Sequence, residues 1–131
     1  MRNNDLFQRV RELNLSLGKY VIFGSGPLGI RGLTECNDID ILVTQNLWNE
    51  YKNKDWELRV MPHGSEYLQK NKIELWTDWK PGQWDVGRLI KDAEVIEGLP
   101  FVPLNQVLEW KKLILRAKDL KDIEIIEKIL C

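Results

Sequence analysis

Only one histidine, His63, and two cysteines, Cys36 and Cys131, occur among the 131 residues. A lone histidine excludes a histidine-rich metal centre and weakens any Ser-His-acid hydrolase, so His63, next to Gly64, reads as a turn residue. The cysteines are too far apart for a metal-ligand spacing, which favours a reduced, cytoplasmic protein. No stretch approaches the ~18 apolar residues of a membrane-spanning helix. The opening MRNNDLFQRVREL lacks the apolar core and cleavage site of a secretory signal, so export and membrane insertion are not expected. Charge of either sign is not in excess either. Nineteen lysines and arginines meet 20 acidic residues for a net charge of -1, without the broad basic field of a protein living on nucleic acid. Any polyanion contact must be local.

Repeats, low-complexity tracts and polar linkers are also missing. With 44% hydrophobic residues, the chain is expected to fold as a single domain over 1–131. Leu6, Val10, Leu13 and Leu17 recur at helical spacing, predicting a helix over 5–17 capped by Asn3 or Asn4, with Gly18 beyond its end. Tyr20-Val21-Ile22-Phe23 reads as a buried strand entering the turn Gly24-Ser25-Gly26-Pro27, followed by a short helix to Leu33. Strands are expected over 38–43 and 56–60, separated by a helix over 46–52. A hairpin around Asn71 would pair 66–68 with 72–76. Pro81-Gly82 breaks the sheet region. A helix over 88–92 precedes loops through Gly98-Leu99-Pro100 and Val102-Pro103, and two helices joined near Lys118 fill 104–130. The expected fold class is therefore α/β (α+β): a mixed sheet flanked by helices, with a C-terminal helix pair.

The chemistry concentrates in Asp38 and Asp40. Two apart on a strand, they leave the same face with their carboxylates close together, while Ile39, Ile41 and Val43 point into the core. Such a pair lines a solvated edge, or it needs a hard cation to remove the repulsion. Upstream, Gly24-Ser25-Gly26 offers close backbone approach, a hydroxyl donor and a following helix N-terminus, all suited to phosphate; an ordinary strand-to-helix turn has the same composition. Arg31 is close enough in sequence to reach a phosphate or to sit on the surface. Trp76, Trp79 and Trp84 could stack a base or an acceptor, or cover a small core.

Phe23-Gly24-Ser25, twelve further residues, then Asp38-Ile39-Asp40-Ile41-Leu42-Val43 resembles the signature of the DNA polymerase beta-like nucleotidyltransferase superfamily. A second resemblance lies in the tail. Lys111, then Arg116 with Lys118-Asp119, then Asp122-Ile123 is similar to the helix pair of small nucleotidyltransferases related to antibiotic-modifying enzymes and abortive-infection toxins. The resemblance implies a nucleotidyltransferase-type sheet and a third carboxylate from a later strand, for which Glu74 is the match; Glu57 and Glu66 are weaker ones. Glu stands where that family more usually has Asp, and Gly26-Pro27 stiffens the loop.

The resemblance further implies that Asp38, Asp40 and Glu74 hold Mg2+ or Mn2+. Gly24, Ser25 and the cations Lys111, Arg116 and Lys118 would then hold the phosphates of a nucleoside triphosphate. NMP would pass to an acceptor hydroxyl on a small molecule, a tRNA end or a protein, with a protein partner or a second copy available to grip that acceptor. Two other readings use the same residues: a catalytically silent binding module, such as a toxin-antitoxin component, and a metal-dependent phosphohydrolase or nuclease.

Overall fold

The computed structural model describes residues 2–130, so the expectation for Cys131 lies outside the described residues. Thirteen elements follow one another: α1 (Arg2–Glu12), β1 (Tyr20–Phe23), α2 (Gly26–Gly29), β2 (Ile39–Val43), α3 (Gln45–Lys52), β3 (Glu57–Val60), β4 (Glu66–Lys70), β5 (Ile73–Trp76), α4 (Val86–Lys91), β6 (Glu94–Ile96), β7 (Leu99–Phe101), α5 (Leu104–Ile114) and α6 (Ala117–Leu130). The strands form one mixed sheet in the order β3-β4-β5-β2-β1-β7-β6. The expected α/β class with a C-terminal helix pair is what the chain adopts. Among the described residues no helix is long and apolar enough to cross a membrane.

The central strands β1 and β2 are nearly continuous apolar runs because helices cover both sheet faces. Successive side chains alternate between two cores. Tyr20, Ile22, Ile39, Ile41 and Val43 pack with Leu6, Phe7 and Val10 of α1 and with Trp48 and Tyr51 of α3. Val21, Phe23 and Leu42 face the other way, onto Leu89 of α4, Val107 and Trp110 of α5, and Ile126 of α6. Asp40 alternates in phase with Leu42, so the acidic pair lies on the face that the C-terminal helices cover.

Helix α1 and the region around Gly98 differ from expectation. Helix α1 ends at Glu12 rather than at residue 17. Asn14 turns the chain with φ +54°, and Leu17, despite its helical spacing, is exposed. Asn3 sits inside α1 instead of capping it. Its amide donates to the Thr34 carbonyl at 2.8 Å and accepts from the Cys36 N–H at 2.9 Å, tying α1 to the loop before β2. The region expected to loop through Gly98 and Pro100 is the β6–β7 hairpin. Glu97 and Gly98 both take positive φ, the signature of a tight turn that matches strand twist.

The two terminal helices join through Leu115, left-handed at φ +51°, three residues before Lys118. A buried ion network clasps them. Lys111, 2% exposed, meets Asp119 at 2.9 Å and Asp122 at 3.0 Å, and the Arg116 guanidinium grips Asp119 at 2.7 Å. Asp119 also accepts from the Arg116 N–H, satisfying one of the open donors at the start of α6. Burial would raise the Asp119 carboxyl, but its bonds to Arg116 and Lys111 outweigh burial and hold it at about 2. Stability from this group is complete above the ordinary carboxylate value and is lost as pH falls through about 2. Asp119→Asn leaves Lys111 with a weakened partner set and is expected to cost about 3 kcal/mol in urea unfolding at neutral pH. The deficit should shrink as pH drops towards 2; a pH-independent deficit would contradict the ionic origin.

Candidate functional site

Strand pairing assembles the acidic residues. Parallel pairing of β2 with β5, begun by Ile39 N–H to the Lys72 carbonyl at 3.0 Å, sets Asp40 beside Glu74. Antiparallel pairing of β1 with β2 sets Phe23 beside Asp40, which brings the Gly24-Ser25 turn onto the same carboxylate. Asp38 lies just before β2. One carboxylate oxygen from each of Asp38, Asp40 and Glu74 falls within 4.8 Å of the others, all three side chains being half-buried.

The approach of the turn depends on glycine. Gly24 has φ +65°, and a Cβ there would overlap the Asp40 carboxylate. Two neighbours fix the acids in place: Trp76 Nε1 donates to Asp40 Oδ1 at 3.3 Å, and Gln69 Nε2 donates to Glu74 Oε2 at 3.1 Å. Burial, then the hydrogen bond and charge of Glu74, then the charge of Asp38, push the Asp40 carboxyl well above the usual carboxylate range, with Trp76 pulling the other way. Burial raises Asp38 too, against the pull of Lys118 and Lys72. Three hard oxygen donors, close together and sharing negative charge, could hold a hard metal cation.

A cleft of about 380 Å3 opens over this cluster. Gly24, Ser25, Arg116 and Lys118 line it, together with the three carboxylates. A second groove, of about 480 Å3, meets it at Ser25, Asp38 and Lys118.

Two residues expected at the phosphates are placed otherwise. Arg31 lines neither cavity, because its guanidinium is taken up by Glu94 and by the Pro27 carbonyl at 2.6 Å. Lys111 reaches the cleft wall, but its ammonium is held by Asp119 and Asp122, so it anchors the helix pair rather than offering a free cation. Helix α2 has only four residues, fewer than the expected run to Leu33, so it adds little dipole to the turn.

The cleft also contains residues that the sequence reading passed over: Ser65, Tyr67, Asp78 and Lys80, while His63 reaches it from its turn. Tyr67 stacks on Trp76 with ring centroids 4.4 Å apart, and Ser65 donates to Asp78 at 2.6 Å. The signal for Tyr67 was present. A two-residue turn at Asn71 and Lys72, both at positive φ, fixes a register that puts Tyr67 opposite Trp76 and Gln69 opposite Glu74. Trp79 is mainly core, stacked on Phe23, yet its indole N–H lies buried at the cleft without a hydrogen-bond partner.

No protein-family model, no curated protein and no solved structure matches this chain.

Because Asp40 has a raised carboxyl, its stability contribution is complete below the ordinary value and is lost as pH rises through the raised one. Folding the metal-free protein above the ordinary carboxylate range therefore works against the burial of Asp40 and against Glu74 and Asp38. Asp40→Asn should raise its stability in EDTA by about 1–3 kcal/mol, roughly 4 °C in Tm per kcal/mol, and remove any stabilisation by Mg2+. An unchanged or lower Tm in EDTA would show that the carboxylates are not in conflict.

Proposed function

We propose that the chain is a metal-dependent nucleotidyltransferase of the DNA polymerase beta-like superfamily, which moves NMP from a nucleoside triphosphate to an acceptor hydroxyl and releases pyrophosphate. The observation that carries this reading is the meeting of Gly24-Ser25 with Asp38, Asp40 and Glu74 at one end of three adjacent strands, under a cleft edged by Arg116 and Lys118.

Asp38, Asp40 and Glu74 would hold Mg2+ or Mn2+, and a bound ion there supplies positive charge to the triphosphate and the departing pyrophosphate. Gly24 keeps the turn close enough for the Ser25 hydroxyl, which makes no capping bond to α2, to donate to a phosphate oxygen. Lys118, in the first turn of α6, and Arg116, half-exposed and oriented by Asp119, bring cationic donors to the other phosphate oxygens. Trp76 and Gln69 keep Asp40 and Glu74 in fixed rotamers, and that preorganisation is what electrostatic catalysis requires. Glu74 then takes the proton from the acceptor hydroxyl as its oxygen bonds to the α-phosphorus.

Thermal stabilisation by ATP, GTP, CTP and UTP, each with and without Mg2+, tests the reading. At least one nucleotide should raise Tm by several degrees only with metal present, about 2.7 kcal/mol of stabilisation at a hundredfold excess over Kd. Asp38→Ala should abolish that shift, and Lys118→Ala should weaken binding by about tenfold or more. No shift with any nucleotide would leave the chain as a catalytically silent binding module.

A further inference from the structure

Strand β3 ends the sheet, and its four residues are all exposed. Leu58 is the outer member of an apolar row that crosses the sheet in register through Ile22, Ile41, Leu75 and Leu68. The first four are fully or almost fully buried beneath the α1 and α3 face; Leu58 is 43% exposed and its neighbour Val60 is 61% exposed. The core thus runs out to an uncovered edge. Natural edges are usually blunted by proline, lysine, a bulge or a very short strand. β3 is also short, at four residues, but its register with β4 is continuous, it contains neither proline nor lysine, and its two charges, Glu57 and Arg59, are of opposite sign.

Main-chain geometry restricts what can add to this edge. Met61 N–H donates to the Ser65 carbonyl, so by alternation Arg59 and Glu57 direct their backbone groups at β4 while Leu58 and Val60 direct theirs outward. A second copy pairing antiparallel about a two-fold axis must therefore set outward-facing residues against each other. Centring the axis on Glu57 opposes Glu57 to itself, and centring it on Arg59 opposes Arg59 to itself. Centring it on Leu58 opposes Glu57 to Arg59 of the second copy, twice, and places Leu58 against its counterpart. Only this last register is complementary in charge, and it also extends the apolar row.

We infer that the β3 edge is a self-association surface, at which two copies of this chain pair antiparallel about Leu58 to form one continuous sheet. Four residues make a small interface, so the dimer forms in the micromolar range or weaker. The two-fold axis sends the two 61–65 turns, and with them the two clefts, to opposite ends, so each site works within its own chain. Glu57 thereby has a place outside the acidic cluster, paired with Arg59 at 3.2 Å in the single chain and facing Arg59 of the second copy in the pair.

Sedimentation velocity over roughly 5–500 µM tests this. The unmodified chain should show reversible monomer–dimer exchange. Arg59→Glu and Glu57→Arg each place like charges in opposition and should each weaken self-association by about tenfold or more. Mixing the two variants one to one should restore the dimer as a heterodimer, and the double variant E57R/R59E should recover it alone, which separates lost pairing from lost folding. A chain that stays monomeric throughout, single variants that dimerise like the parent, or a mixture that remains monomeric would each overturn the inference.

Discussion

Three carboxylates compressed into a half-buried corner of the sheet are the constraint around which this molecule is arranged. Like charges at such separation oppose folding, and the chain meets that cost by fixing each acid through a different neighbour. Asp40 is held by the Trp76 indole, Glu74 by the Gln69 amide, and Asp38 faces Lys118 and Lys72. The same corner demands a glycine, since nothing larger than Gly24 can pass the Asp40 carboxylate. The unfavourable charge of this arrangement is what a hard cation would cancel, and it is the physical basis for proposing that the cluster holds one.

The helix pair shows how charge can be divided between architecture and chemistry. Lys111, Arg116, Lys118, Asp119 and Asp122 form one charged run in sequence, but they separate in space. Lys111 and the two aspartates make a buried clasp, Lys118 faces the acidic cluster, and Arg116 belongs to both groups. The clasp is what fixes Arg116: its guanidinium orientation is set by Asp119, whose own carboxylate is stabilised by Lys111.

Local pattern made much of this legible. β1, the D-x-D strand, the Asn71 hairpin and both terminal helices follow from apolar periodicity and turn residues, and the grouping of Asp38 with Asp40 follows from a period of two. What was not legible depends on contacts distant in sequence. Arg31 looked free until the β6–β7 hairpin brought up Glu94, and that hairpin was hidden because three-residue strands containing Pro100 carry little pattern. Lys111 read as a ligand because sequence does not reveal that Asp119 and Asp122 fold back onto it. Leu17 matched the helical period, yet the chain leaves the helix before reaching it.

The indole that fixes Asp40 also gives the molecule an optical handle. Trp76 is stacked on Tyr67, lies edge-on to Trp79 and donates its N–H to the carboxylate at the centre of the cluster. Its excited state therefore senses the electric field of that carboxylate directly. A change in charge or occupancy at the site alters the field across the ring, so the intrinsic emission of the protein carries a signal from the acidic cluster without an added label.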